Sequence, residues 1–136
     1  MFKNYLPTTI ILLLLFASCK QKITLKKGDL YGKWKYLKVE NPYSHPPDSV
    51  TNAELQIQKP YILFTQKDSM QIWWGGGLLS HGSFKVAGDS IRVNEILPDG
   101  KTREFPFIVS KISATDLIFE TSGVDGTRVA AEKEKR

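Results

Sequence analysis

The chain is poor in the residues on which most protein chemistry rests. Its single cysteine, Cys19, excludes any disulfide within the chain. The two histidines, His45 and His81, stand far apart, and neither has a His, Cys or carboxylate at ligand spacing, so no metal site is expected. No G-x-S-x-G elbow is present, and most acidic residues fall in turns or at outward strand positions. Neither an enzyme nor a cofactor is expected. No apolar run reaches the roughly 20 residues that a membrane-spanning helix needs. Beyond residue 29 there is no helical periodicity longer than about a turn. The formal net charge is +5, but charges of both signs are interspersed and no basic stripe forms, so nucleic acid is not an expected partner.

What is present begins at the first residue. Lys3 is followed by an uncharged apolar stretch from Thr8 to Ala17, about ten residues long, which suits the hydrophobic region of an export signal and is too short to span a bilayer. Phe16-Ala17-Ser18-Cys19 then resembles the lipobox of bacterial lipoproteins. Ala17 and Ser18 match its two small positions, and Phe16 departs from the preferred Leu. The resemblance implies cleavage of residues 1–18, a diacylglycerol thioether on Cys19 and acylation of the new amine. Each buried methylene adds about 0.8 kcal/mol, so two or more acyl chains make a durable anchor. The alternatives are an ordinary cleaved signal and an uncleaved anchor. Lys20, Lys22, Lys26 and Lys27 make residues 19–29 a basic tether, suited to anionic headgroups at about 1 kcal/mol per basic residue.

The rest, residues 30–133, reads as one domain, long enough to bury its own core. Short runs with two-residue alternation recur between turn signals: 33–40, 61–65, 69–74, 82–86, 90–96, 103–110, 116–121 and 127–132. Gly75-Gly76-Gly77 reads as a hairpin or bulge, since no helix follows that could face a phosphate. Short links imply antiparallel neighbours, and a long meander escapes open edges most simply by closing into an up-and-down barrel of about eight strands. Pro106 costs least at an edge or bulge. Residues 41–52, with three prolines, form a long loop that is either a functional lid or a plain crossover.

Asp29-Leu30-Tyr31-Gly32-Lys33-Trp34 resembles the G-x-W signature of the first lipocalin strand. Together with the lipobox and the stretch Gly82 to Ile91, it looks like the small lipocalin-like lipoproteins of Bacteroidetes-like bacteria. The resemblance spans most of residues 28–133. It implies that Trp34 plugs the closed end of the barrel, that Gly32 allows a close approach, and that an Arg of the last strand, here Arg128, lies over the indole. It also implies a loop over the barrel mouth, a place that 41–52 would fill.

Two functions follow as expectations. In the first, a membrane-anchored barrel holds a small hydrophobic molecule or lipid, with Tyr36, Phe64, Trp73, Phe84, Phe107 and Phe119 lining it by inward parity. In the second, the barrel is filled and serves as a structural or protein-interaction module of the envelope, its partner unidentified; an exposed patch around Trp74, Leu78 and Leu79 would suit it. Lys20, and not Asp, follows Cys19, which favours the outer membrane, and the absence of acidic residues there leans towards its periplasmic side.

Overall fold

The computed structural model describes residues 22–123 and 126–135. The lipobox and Cys19 lie outside the described residues. Nine strands occur among those described: β1 (Gly32–Asn41), β2 (Asp48–Ser49), β3 (Tyr61–Phe64), β4 (Ser69–Trp74), β5 (Gly77–Ala87), β6 (Ser90–Ile96), β7 (Thr102–Ile112), β8 (Asp116–Thr121) and β9 (Arg128–Lys133). All neighbours are antiparallel, in the order β2-β1-β3-β4-β5-β6-β7-β8-β9, and β9 pairs back with β1. β1 and β3 to β9 thus close an eight-strand barrel, and β2 is a short addition on β1. Closure leaves no long unpaired edge in the wall.

Turn chemistry sets the meander. Trp74-Gly75-Gly76-Gly77 joins β4 to β5 with both central glycines at positive φ (61° and 80°), as a two-residue hairpin whose twist matches its strands requires. In the β5–β6 turn only the first central residue, Gly88 (φ 59°), has positive φ. Pro106 sits in β7 opposite Arg92, one residue beyond the last β8 pair, Phe107 with Thr121. Its missing N–H therefore falls where the β8 side of the strand is already free.

Inward positions alternate along each strand. Trp34, Ile62, Phe64, Met70, Phe84, Ile91, Val93, Phe107, Val109, Leu117, Phe119, Val129 and Ala131 form the core. One end is closed by the incoming chain. The Leu25 N–H donates to the Gly88 carbonyl at 2.8 Å, and the short helix α1 (Lys27–Leu30) presses the fully buried Leu30 beneath the barrel.

The other end is covered by a helix that the apolar pattern did not predict, α2 (Asn52–Gln58). Thr51 caps it, its Oγ1 accepting from the Glu54 N–H at 3.1 Å. Thr51-Asn52-Ala53-Glu54 is a Ser/Thr-x-x-Glu start signal, and Pro60 follows the helix end. Only Leu55 is buried, so one apolar contact anchors the helix and no amphipathic stripe announces it. Within the expected loop 41–52, Asp48 and Ser49 pair with β1, and Thr51 becomes the cap. The loop's contact is on the wall, where the Tyr43 hydroxyl donates to Glu120 Oε2 at 3.0 Å.

Candidate functional site

Five of the six expected lining residues meet inside the barrel. Phe64 and Phe84 pack edge-on with ring centroids 4.9 Å apart. Phe107 lies 4.8 Å from Phe119, which meets Tyr36 at 6.2 Å. Phe105 adds a further edge contact on Phe107 at 5.2 Å. These aromatics fill the interior as well as line it. Phe64 and Phe84 are each 1% exposed, Phe119 2% and Phe107 3%. A cavity ready for a ligand would leave the atoms around it reachable by a water-sized sphere. Burial also pushes the Tyr36 phenol well above its ordinary value, because ionisation inside an apolar core forfeits hydration.

Trp73 is the exception. Met70, Ile72 and Trp74 share the inward face of β4, so Trp73 points outward. There it stacks on Tyr61 (6.1 Å, 16° between planes) and donates from Nε1 to Gln71 Oε1 at 3.0 Å. Lys33 Nζ stands 4.0 Å from the centroid of the same Tyr61 ring. The parity of Met70 and Ile72 carried the signal that Trp74, and not Trp73, turns inward.

The closed end is built around Trp34. Its indole is fully buried, and Nε1 donates to the Leu30 carbonyl at 2.8 Å. The cation over the ring is not Arg128 but Lys133, with Nζ 5.3 Å from the centroid. Lys133 pairs with Trp34 in the β1–β9 ladder and shares the parity of the buried Val129 and Ala131. Arg128 has the opposite parity and lies on the outer wall. Its Nε binds Glu120 Oε1 at 2.6 Å, Nη1 stands 3.6 Å from Glu40, and Nη2 donates to the Tyr43 hydroxyl at 3.3 Å. The hydrogen bond to Glu120, first among its causes, raises its already high pKa. Gly32 has φ 127°, and a Cβ there would stand 2.9 Å from Lys133 Cε. A side chain at 32 would thus be strained and would also displace the cation over Trp34.

The mouth end carries a polar cluster that the apolar pattern hides. Glu95 continues the inward face of Ile91 and Val93 and is buried. It accepts from Arg103 Nη2 at 2.7 Å and from the Ser80 hydroxyl. The charge is thus paired and hydrogen-bonded, the condition on which a carboxylate can be taken out of water. Arg103 in turn lies 5.4 Å from the Phe105 ring and keeps its outer edge in solvent. The strict alternation Ile91-Val93-Glu95 was the available sign.

Outside the wall, α2, β1 and the Gly75-Gly76 turn enclose a groove of about 990 Å³. Its lining includes Lys35, Leu37, Ile57, Lys59, Pro60 and Tyr61. Among the described residues no group of three His, Cys, Asp or Glu side chains converges as a metal site would require.

No protein-family model matches the chain, and no curated protein matches it. Among solved structures it is similar to a lipocalin-like protein from Bacteroides uniformis, with a TM-score of 0.55 and 22% identity. That alignment covers 79% of this chain and 100% of the other. The likeness shows the fold: a lipocalin-like, closed antiparallel barrel.

Proposed function

We propose that the protein is held at an envelope membrane by acyl chains on Cys19, and that its barrel works as a filled interaction module. Contacts with partners are made on the outer wall and not in a central ligand cavity. The observation that carries this reading is the seal on the interior: Phe64, Phe84, Phe107 and Phe119 are buried against one another to within a few per cent. Close packing of this kind keeps the wall rigid, so a partner meets a preorganised surface and little ordering is lost on binding. The lipocalin-like fold is equally compatible with small-molecule carriage, and the packing weighs against it. Membrane attachment rests on the lipobox, the outer membrane on Lys20 after Cys19, and its periplasmic side on the lack of acidic residues in Cys19-Lys20-Gln21-Lys22. No catalytic step belongs to the proposal.

The decisive experiment is native mass spectrometry on residues 20–136 exported in the native host, with a titration of N-phenylnaphthylamine. The expected result is a bare polypeptide mass and no saturable dye uptake. An extra mass that leaves on denaturation, or stoichiometric uptake, overturns the filled barrel in favour of a ligand carrier. Fractionation of cells carrying Cys19→Ser tests the anchor, and unchanged membrane association would sink it.

A further inference from the structure

The groove between α2 and β1 combines apolar side chains left in water with an excess of lysines over carboxylates. Ile57 is 76% exposed and Leu37 46%, and both line it. Lys33 is matched to Glu134 at 3.1 Å. Among the described residues Lys59 has no such partner, and Lys35 faces Glu132 across the β1–β9 ladder without an ion pair. Lys35 stands opposite Tyr61 in the β1–β3 ladder. The Tyr36 N–H donates to the Pro60 carbonyl at 3.0 Å, which brings the helix end holding Lys59 against β1. Lys59 itself sits in the left-handed region (φ 45°), where glycine or asparagine is the usual residue.

We infer that this groove docks a segment of a partner protein in which one or two carboxylates flank a large apolar side chain. This rests on the interaction-module reading and names the surface that would serve it. Three features choose the occupant. Lys33, Lys35 and Lys59 line the groove against one carboxylate, Glu134, so its net charge is positive and the partner segment is acidic. Ile57 is so exposed that an acyl chain laid over it would keep much of its surface in water, whereas a peptide covers it with one side chain and satisfies its own backbone in solvent. The groove follows β1 from Lys33, beside Trp34 at the closed end, to the Gly75-Gly76 turn at the mouth, so an extended segment can lie along it.

The test is a selection of random nine-residue peptides, displayed on phage, against residues 20–136. Enriched peptides are then remade and titrated by fluorescence anisotropy. The expected outcome is enrichment of Asp or Glu next to Leu, Ile, Phe or Trp. Binding should weaken more than tenfold in Lys35→Glu/Lys59→Glu and in Ile57→Asp, and be unchanged in Lys85→Glu/Lys111→Glu on other strands. Unchanged thermal melting of each variant separates a lost site from a lost fold. Peptides without acidic residues, or equal binding to the groove variants, would overturn the inference. So would shifts of the Leu37 and Ile57 methyl resonances on adding palmitate with none on adding the peptides. Dye uptake into the interior would sink the filled barrel and leave groove binding to be judged on its own, so the two failures are distinguishable.

Discussion

The two ends of the barrel solve the same problem by opposite means. At the closed end, Leu25, Leu30, Trp34, Phe64 and Phe84 are packed almost entirely out of water, and one cation, Lys133, lies over the buried indole. At the mouth, a carboxylate is turned inward and matched by Arg103 and Ser80, and a short helix buries only Leu55. Dense apolar packing is unforgiving of lost volume, because its neighbours cannot collapse into the gap. A polar cluster with one edge in solvent is more tolerant, because water can replace a missing partner. The closed end should therefore hold most of the stability, while the mouth end is free to vary and to present surface.

Trp34→Ala breaks the comparison hardest. It removes the largest side chain of the sealed end and its bond to Leu30, and should cost about 3–5 kcal/mol in urea unfolding. A cost below about 1 kcal/mol would mean that the closed end is not the stable one. Arg103→Leu tests the mouth. Removing a partner from a buried carboxylate costs about 1–3 kcal/mol, and since the Arg103 side chain is 63% exposed, the lower half of that range is expected.

Lys133→Met sharpens the contrast between the two candidate cations. Loss of a cation over a buried indole should cost about 0.5–2 kcal/mol. Arg128→Met breaks only a half-buried cluster on the outer wall with Glu40, Glu120 and Tyr43, and its midpoint should come close to the parent in high salt. A larger loss for Arg128 than for Lys133 would reverse the assignment.

At neutral pH the smallest effect is expected from Tyr36→Phe, which separates the two proteins only in alkali. The folded pKa of Tyr36 is raised, so the neutral phenol is favoured in the fold. Its contribution is complete below the unfolded value of about pH 10 and is lost as pH rises through the folded one. Urea midpoints should therefore fall more steeply for the parent than for Tyr36→Phe above about pH 10. Parallel curves would mean that the phenol is hydrated.

Much of the barrel was legible. The runs 69–74, 90–96 and 116–121 coincide with β4, β6 and β8, because period-two alternation and Gly or Asp turns report a half-buried strand directly. β5 runs further than expected, from Gly77, because pairing with β4 carries it past the alternating segment. α2 escaped because seven residues with one buried side chain make no stripe, although Thr51, Glu54 and Pro60 bracket it. Trp73 was assigned inward by a parity count that Met70 and Ile72 contradict, and Arg128 was carried over from the lipocalin resemblance although the parity of Val129 and Ala131 puts it outside.

By itself the sequence determined what short-range physics controls: strand positions, hairpin turns, the all-β class, the Trp34 motif and the export and lipidation expectation at Cys19. Only the tertiary structure decided which cation lies over Trp34, that Glu95 is matched inside the mouth, that the aromatics fill the interior, and that Leu37, Ile57, Lys35 and Lys59 share one groove. These depend on closing β9 onto β1 and folding α2 back over β1. Such contacts join residues far apart in the chain, and no local pattern encodes the distance between them.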